Sequence, residues 1–163
     1  MIILGLDPGT ATTGYGVIRN KNNIELIEYG AILTKANGYM PQRLCEIYAG
    51  VSKLLKKFKP DQVALESLFF FKNQKTVMTV SQARGVIMMA CGKHKAPVIE
   101  YPPLRVKNIL CNNGRADKKE VQEKVRKILK LKIVPKPDDA ADALAAALCC
   151  HTCNKQEISD KIK

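Results

Sequence analysis

Short apolar runs separated by Gly, Asn and Lys open the chain. Ile2 to Leu6, Gly14 to Ile18 and Ile24 to Leu33 carry the apolar clustering of strands, and the short links between them predict antiparallel hairpins. From Pro41 the period changes: Leu44, Ile47, Tyr48, Val51, Leu54, Leu55 and Phe58 recur at helical spacing, with Pro41 in the first turn and Pro60 just beyond the end. That spacing predicts an amphipathic helix lying on the sheet. Val63-Ala64-Leu65 predicts a short buried strand, parallel to the first because strand, helix, strand order favours a parallel return. A second helix is expected from about Lys75 to Lys93. It is apolar on more than one face, at Val77, Met78, Val80, Val86, Ile87, Met88 and Met89, so it is either sandwiched in the core or its outer face meets another subunit.

Pro97 to Tyr101 predicts a fifth strand and Asn112-Asn113-Gly114 a loop. A basic amphipathic helix follows, directing Val121, Val125, Ile128 and Leu129 inward and leaving Lys118, Lys119, Lys124, Arg126 and Lys127 to solvent or DNA. The last helix begins near Pro137 and runs through the alanine-rich stretch Ala140 to Leu148. Beyond Cys153 the polar segment 154–163 is expected to fray. With 163 residues there is material for one core. The expected fold is therefore one α/β domain over residues 1–153, a mixed five-stranded sheet with helices on both faces.

Composition changes this picture mainly through charge. At 46% hydrophobic and 26% charged residues the chain is unlike a disordered or fibrous protein. Its 27 Lys and Arg against 15 Asp and Glu are unevenly spread, with 11 against 3 between Leu104 and Lys136. A basic stripe of this kind attracts phosphate polyanions, although a lysine-rich soluble surface has the same composition. The opening run Met1 to Leu6 reads as a strand and not as a signal peptide, and no uncharged apolar stretch approaches the ~18 residues of a membrane helix. A soluble, cytoplasmic protein is expected. Six cysteines without an export signal predict reduced thiols. Cys150-His151-Thr152-Cys153, with Cys149 beside it, superficially suggests zinc, but no second Cys/His pair at a suitable spacing completes a tetrahedral site.

The carboxylates carry the candidate chemistry. Asp7 ends the first strand, Glu66 ends the strand parallel to it, and Asp139 and Asp142, three apart on the last helix, share a face. Each has a plainer reading: Asp7-Pro8-Gly9-Thr10 is a turn sequence, Glu66 is a polar residue after a strand, and Asp138 and Asp139 suit a helix N-terminus. Asp142 is harder to dismiss, because the alanines around it, from Ala140 to Ala147, suit close approach to a sheet. If the strands are neighbours and the helix crosses their ends, the four acids meet and repel one another. Hard divalent cations resolve that conflict, and an all-oxygen site suits Mg²⁺ or Mn²⁺. In a basic protein such a site points to phosphodiester hydrolysis by two metals.

Gly5-Leu6-Asp7-Pro8-Gly9 leading to Thr13-Gly14-Tyr15-Gly16, then Glu66-Ser67-Leu68-Phe69, Gln82-Ala83-Arg84-Gly85 and Asp139-Ala140-Ala141-Asp142-Ala143-Leu144-Ala145, resemble the RuvC family of Holliday-junction resolvases, in order, from the first residues to about Cys150. The resemblance implies a ribonuclease H-like fold and a homodimer that makes paired, symmetric nicks across four-way junction DNA and leaves ends a ligase can seal. It implies that Asp7, Glu66, Asp139 and Asp142 are the catalytic metal ligands for two Mg²⁺ ions, with Mn²⁺ able to substitute. Lys107 and Lys118 match the family's basic residues near the scissile strand, and Phe69 its base-stacking aromatic, with Phe70 and Phe71 beside it. The Lys75 to Lys93 helix matches the dimer helix, and the branch-migration complex RuvA-RuvB is the implied partner. Other readings stay open: a non-catalytic junction-binding module, a ribonuclease H-like nuclease acting on RNA, and an actin-like or sugar-kinase ATPase using Asp7-Pro8-Gly9-Thr10 as a phosphate loop.

Overall fold

A computed structural model describes residues 1–67 and 77–161, with side chains as far as Asn154. Its elements, in chain order, are β1 (Ile2–Asp7), β2 (Thr12–Asn20), β3 (Ile24–Leu33), α1 (Met40–Phe58), β4 (Gln62–Glu66), α2 (Val77–Lys93), β5 (Val98–Tyr101), α3 (Pro103–Cys111), α4 (Lys118–Ile128) and α5 (Asp138–Lys161). The sheet order is β3-β2-β1-β4-β5. β1, β2 and β3 form the predicted antiparallel meander, and β4 and β5 add in parallel to β1. The mixed five-stranded sheet is thus as expected. Among the described residues no helix is long and apolar enough to cross a membrane.

Alternation along the central strands divides the core into two layers. Leu4, Leu6, Val63 and Leu65 point to one face, where they are covered by Ile47, Val51 and Leu55 of α1 and Ala83 and Ile87 of α2. Ile3, Ile18 and Ala64 point to the other, under Leu144 and Leu148 of α5 and beside Val106, Leu110, Val121 and Val125 of α3 and α4. Burying each large aliphatic side chain removes about 1.5–3 kcal/mol of unfavourable hydration, so both faces need a helical cover.

α5 lies unusually close to β1 and β2. A Cβ added to Gly5 would collide with the carbonyl oxygen of Ala143, and one added to Gly14 with that of Asp139. Glycine on the strands and alanine on the helix let the two backbones approach, which brings the first turn of α5 down onto the end of β1.

The structure adds to the sequence pattern at four places. α3 has no counterpart in the elements expected between the fifth strand and the Asn112 loop: Pro103 begins a helix, Val106 and Leu110 four apart are buried, and Asn112 at φ 52° closes it. Ile128 is 36% exposed instead of inward-facing, because the buried arc of α4 runs through Val121, Val125, Leu129 and Gln122 and leaves Ile128 at its rim. The helical backbone of α5 runs on to Lys161, through most of the segment expected to fray. Residues 154–161 contain neither Pro nor Gly to stop a helix, and Asn154 Nδ2 donates to Gln62 Oε1 at 2.6 Å. Finally, α2 is not sandwiched: Ala83, Ile87, Ala90 and Cys91 face the sheet while Met78, Met88 and Met89 are exposed. The predicted start of that helix at Lys75 lies outside the described residues.

Candidate active site

The paired strands β1 and β4 determine where the first two acids stand. Leu6 pairs with Leu65 in register, both facing α1 and α2, so the next residue on each strand, Asp7 and Glu66, faces α5. The turn after Asp7 is held by hydroxyls. The buried Thr13 donates from Oγ1 to the Gly9 carbonyl at 2.7 Å. Thr34 Oγ1 donates to the Thr10 carbonyl at 2.6 Å, and Arg43 Nε donates to Thr34 Oγ1 at 2.9 Å. The motif Asp7-Pro8-Gly9-Thr10 therefore spans the end of β1 and the start of its link to β2, a fixed mount for a carboxylate.

α5 brings Asp139 and Asp142 over the same strand ends. A cleft of about 200 Å³ opens there, lined by Glu66 and Asp142, by Lys107 of α3, by Lys118 of α4 and by the apolar surfaces of Val106 and Val121. Lys118 is the first residue of α4, whose N-cap Asp117 accepts the Glu120 amide at 2.8 Å. Its Nζ lies 3.0 Å from Asp142 Oδ2 and 3.6 Å from Asp138 Oδ2. Asp138 also accepts from Lys136 Nζ at 2.6 Å, which holds its carboxyl below the usual range.

Proton affinities report how crowded the acids are. Asp7 keeps part of its surface open, yet the surrounding protein desolvates its carboxyl, and Glu66, Asp142 and Asp139 add negative charge, so its pKa is raised well above the ordinary value, against the pull of Lys118. Glu66 is pushed up to about 7, first by burial and then by Asp142, while Lys107 and Lys118 oppose the rise. Asp142 is raised by burial in spite of its hydrogen bond from Lys118. For Lys118 itself burial acts downward, but Asp142, Asp138 and Asp139 outweigh it and the ammonium is held more firmly. Three carboxyls that resist ionisation in one place are a signature of a functional site more often than of a structural one.

The donors are all carboxylate oxygens, the set that hard divalent ions prefer. Among the described residues no three Asp, Glu, His or Cys side chains are already drawn together at ligating distance. Instead the Lys118 ammonium supplies positive charge directly against Asp142. The acids fit a divalent ion in chemistry and placement, and small side-chain movements would have to bring them in. Cys149, Cys150, His151 and Cys153, which superficially suggest zinc, are buried residues of α5 itself, where Cys150 Sγ lies 3.1 Å from Gln62 Oε1.

Every predicted carboxylate is thus in one neighbourhood, and Lys107 and Lys118 line the same cleft. Phe69, Phe70 and Phe71 lie outside the described residues. The contribution of α3, which carries Lys107, and the pairing of Lys118 with Asp142 were not derivable from periodicity. A helix-opening Pro103 ahead of Val106 and Leu110 was the available signal for the first.

Strand order, strand direction and the position of the acids define the class: a ribonuclease H-like α/β nuclease fold. Within it, residues 3–151 match the family model for the crossover junction endodeoxyribonuclease RuvC, and the chain belongs to that family of endonucleases. It is 51% identical to the Clostridioides difficile crossover junction endodeoxyribonuclease RuvC over 96% of this chain and 94% of that protein. It is 53% identical to the Syntrophomonas wolfei protein of the same name over 91% and 87% of the respective chains. A solved structure of Thermus thermophilus RuvC in complex with Holliday junction substrate superposes with a TM-score of 0.90 at 34% identity, covering 96% of each chain. The yeast mitochondrial Holliday junction resolvase, at 11% identity and a TM-score of 0.67 over 99% of this chain and 84% of that one, shares the fold alone.

Proposed function

We propose that this chain is a homodimeric, metal-dependent Holliday junction resolvase of recombination and DNA repair, which nicks a four-way DNA junction at two symmetric positions and leaves 5′-phosphate and 3′-hydroxyl ends. The observation that carries the reading is the convergence of Asp7, Glu66 and Asp142, all with raised proton affinity, at a cleft edged by Lys107 and Lys118. A binding module has no use for acids at that place, since they repel DNA.

Asp7, Glu66, Asp139 and Asp142 would hold two Mg²⁺ ions, with Mn²⁺ able to substitute; when bound, such ions activate water and stabilise the leaving oxygen. Lys107 and Lys118 offer ammonium groups to the phosphate of the strand being cut. The apolar floor made by Val106 and Val121 excludes water beside it. Phe69 would stack on an unpaired base near the junction centre, a sequence-tolerant way to hold it. The exposed methionines of α2 meet a second copy of the chain, so that a two-fold enzyme matches a two-fold junction. The branch-migration complex RuvA-RuvB is the expected partner, and the cytoplasm the expected place.

Cleavage of a synthetic four-way junction, with a linear duplex of the same sequence as control, tests the reading. Wild type with Mg²⁺ should nick the junction symmetrically and leave the duplex intact, and Asp7→Asn should bind the junction without cutting it. Tight binding by wild type with no nick under any divalent ion would sink the enzymatic reading in favour of a binding module.

A further inference from the structure

A second hollow, of about 390 Å³, opens where α1 and α2 end. Lys56, Lys59, His94 and Lys95 line it above an apolar floor of Leu55 and Pro60. These segments lead into the N-terminal ends of β4 and β5, so the hollow stands at the opposite end of the parallel strands from Glu66. Glu66 lies six positions beyond Pro60 in the chain, about 20 Å at ~3.3 Å per residue. The two sites are therefore distinct.

What marks the hollow is positive charge with no acid among its described lining residues. Neighbouring groups are engaged elsewhere: Lys57 pairs with Glu28 and lies over the Phe58 ring, Lys93 lies over the Tyr48 ring, and the Asp61 carboxylate accepts the Ile2 amide at 2.6 Å. Lys56, Lys59, His94 and Lys95 form no ion pair among the described residues. Two of them also sit in left-handed backbone conformations that favour glycine, Lys59 at φ 44° and Lys95 at φ 54°. Their side chains are not needed to finish the helices. The Lys59 amide already donates to the Leu55 carbonyl at 2.9 Å, and the Ala96 amide to the Cys91 carbonyl at 3.0 Å.

We propose that this hollow binds a phosphate group, gripped by the ammonium groups of Lys59 and Lys95 with Lys56 and His94 beside them. The phosphate belongs either to a small free phosphate compound or to a DNA backbone, and the same chemistry serves both. Glycine is the unstrained residue at both left-handed positions, so Lys59→Gly with Lys95→Gly removes two charges while relieving the backbone. Loss of binding in that variant cannot be put down to unfolding. Lys21→Gly with Lys35→Gly, at two exposed turn positions, is the charge-matched control.

The measurement is amide chemical shift by NMR in metal-free buffer at fixed ionic strength, titrating first inorganic pyrophosphate and then a four-way DNA junction. Saturable shifts at Lys59, His94, Lys95 and Ala96 are expected with pyrophosphate, weakened about tenfold or more in the cavity variant and unchanged in the control. If the junction shifts the same amides, and the salt slope of junction binding falls by about 2 in the cavity variant, the source is a DNA backbone. Shifts with pyrophosphate alone identify a free phosphate compound. Amides at the hollow that respond to neither ligand, or that respond equally in the cavity variant, overturn the proposal.

Discussion

At the scale of single residues, the carboxyls of Asp7 and Glu66 are kept from ionising by their own surroundings, and this couples the site to stability. Glu66 moves from an ordinary 4.5 to about 7, and Asp7 also rises. Between those values the metal-free folded state holds a proton that the unfolded chain has released. Its contribution is full below pH 4.5 and is lost as pH rises through about 7. Glu66→Gln removes that dependence. In EDTA it should raise the Tm at pH 8 by roughly 7–13 °C over wild type and change it little at pH 4.5; equal differences at both values would show that the group is not desolvated as described. The four acids themselves were legible in the sequence, because strand ends and an i, i+3 pair on a helix are readable from pattern. Their energetic coupling was not, since it depends on how deeply α5 settles and on the lysines that α3 and α4 bring from elsewhere.

Among elements, the approach of α5 to β1 and β2 decides the geometry of the site. Gly5→Ala places a methyl against the Ala143 carbonyl, so α5 must shift outward. Urea denaturation should show a loss of about 2 kcal/mol or more, and junction cutting should fall even where the protein is fully folded. α4 contributes through its first residue. Lys118→Ala leaves Asp142 without its ammonium partner and removes a charge from the cleft. Cutting by this variant should drop about a hundredfold at low and high salt alike, while full rescue at low salt would make Lys118 an ordinary electrostatic contact. Sequence pattern found most elements because their apolar periods are long and their ends carry Pro or Asn-Gly. It missed α3, where only eight residues separate two prolines from an Asn pair and the buried positions are just Val106 and Leu110. The rim position of Ile128 depended likewise on packing that periodicity does not contain.

For the molecule as a whole, the surface of α2 opposite the sheet is where the proposed dimer would form. Met88→Glu with Met89→Glu charges a face that carries 40% and 49% exposed methionines. Sedimentation should show this variant as a monomer, and paired nicking should be lost before single nicking is; a monomeric wild type would remove the reason for symmetric cuts. Charge and fold class were legible from composition and element order, but the basic hollow at the far end of the sheet was not, since it gathers lysines from two helix ends separated in the chain. The order of the elements has one more consequence. Asp7 stands on the first strand, whereas Asp139 and Asp142 are carried on α5, which follows every strand of the sheet in the chain. The whole sheet can therefore form without two of the four acids, and the proposed site is complete only once α5 has docked onto β1 and β2.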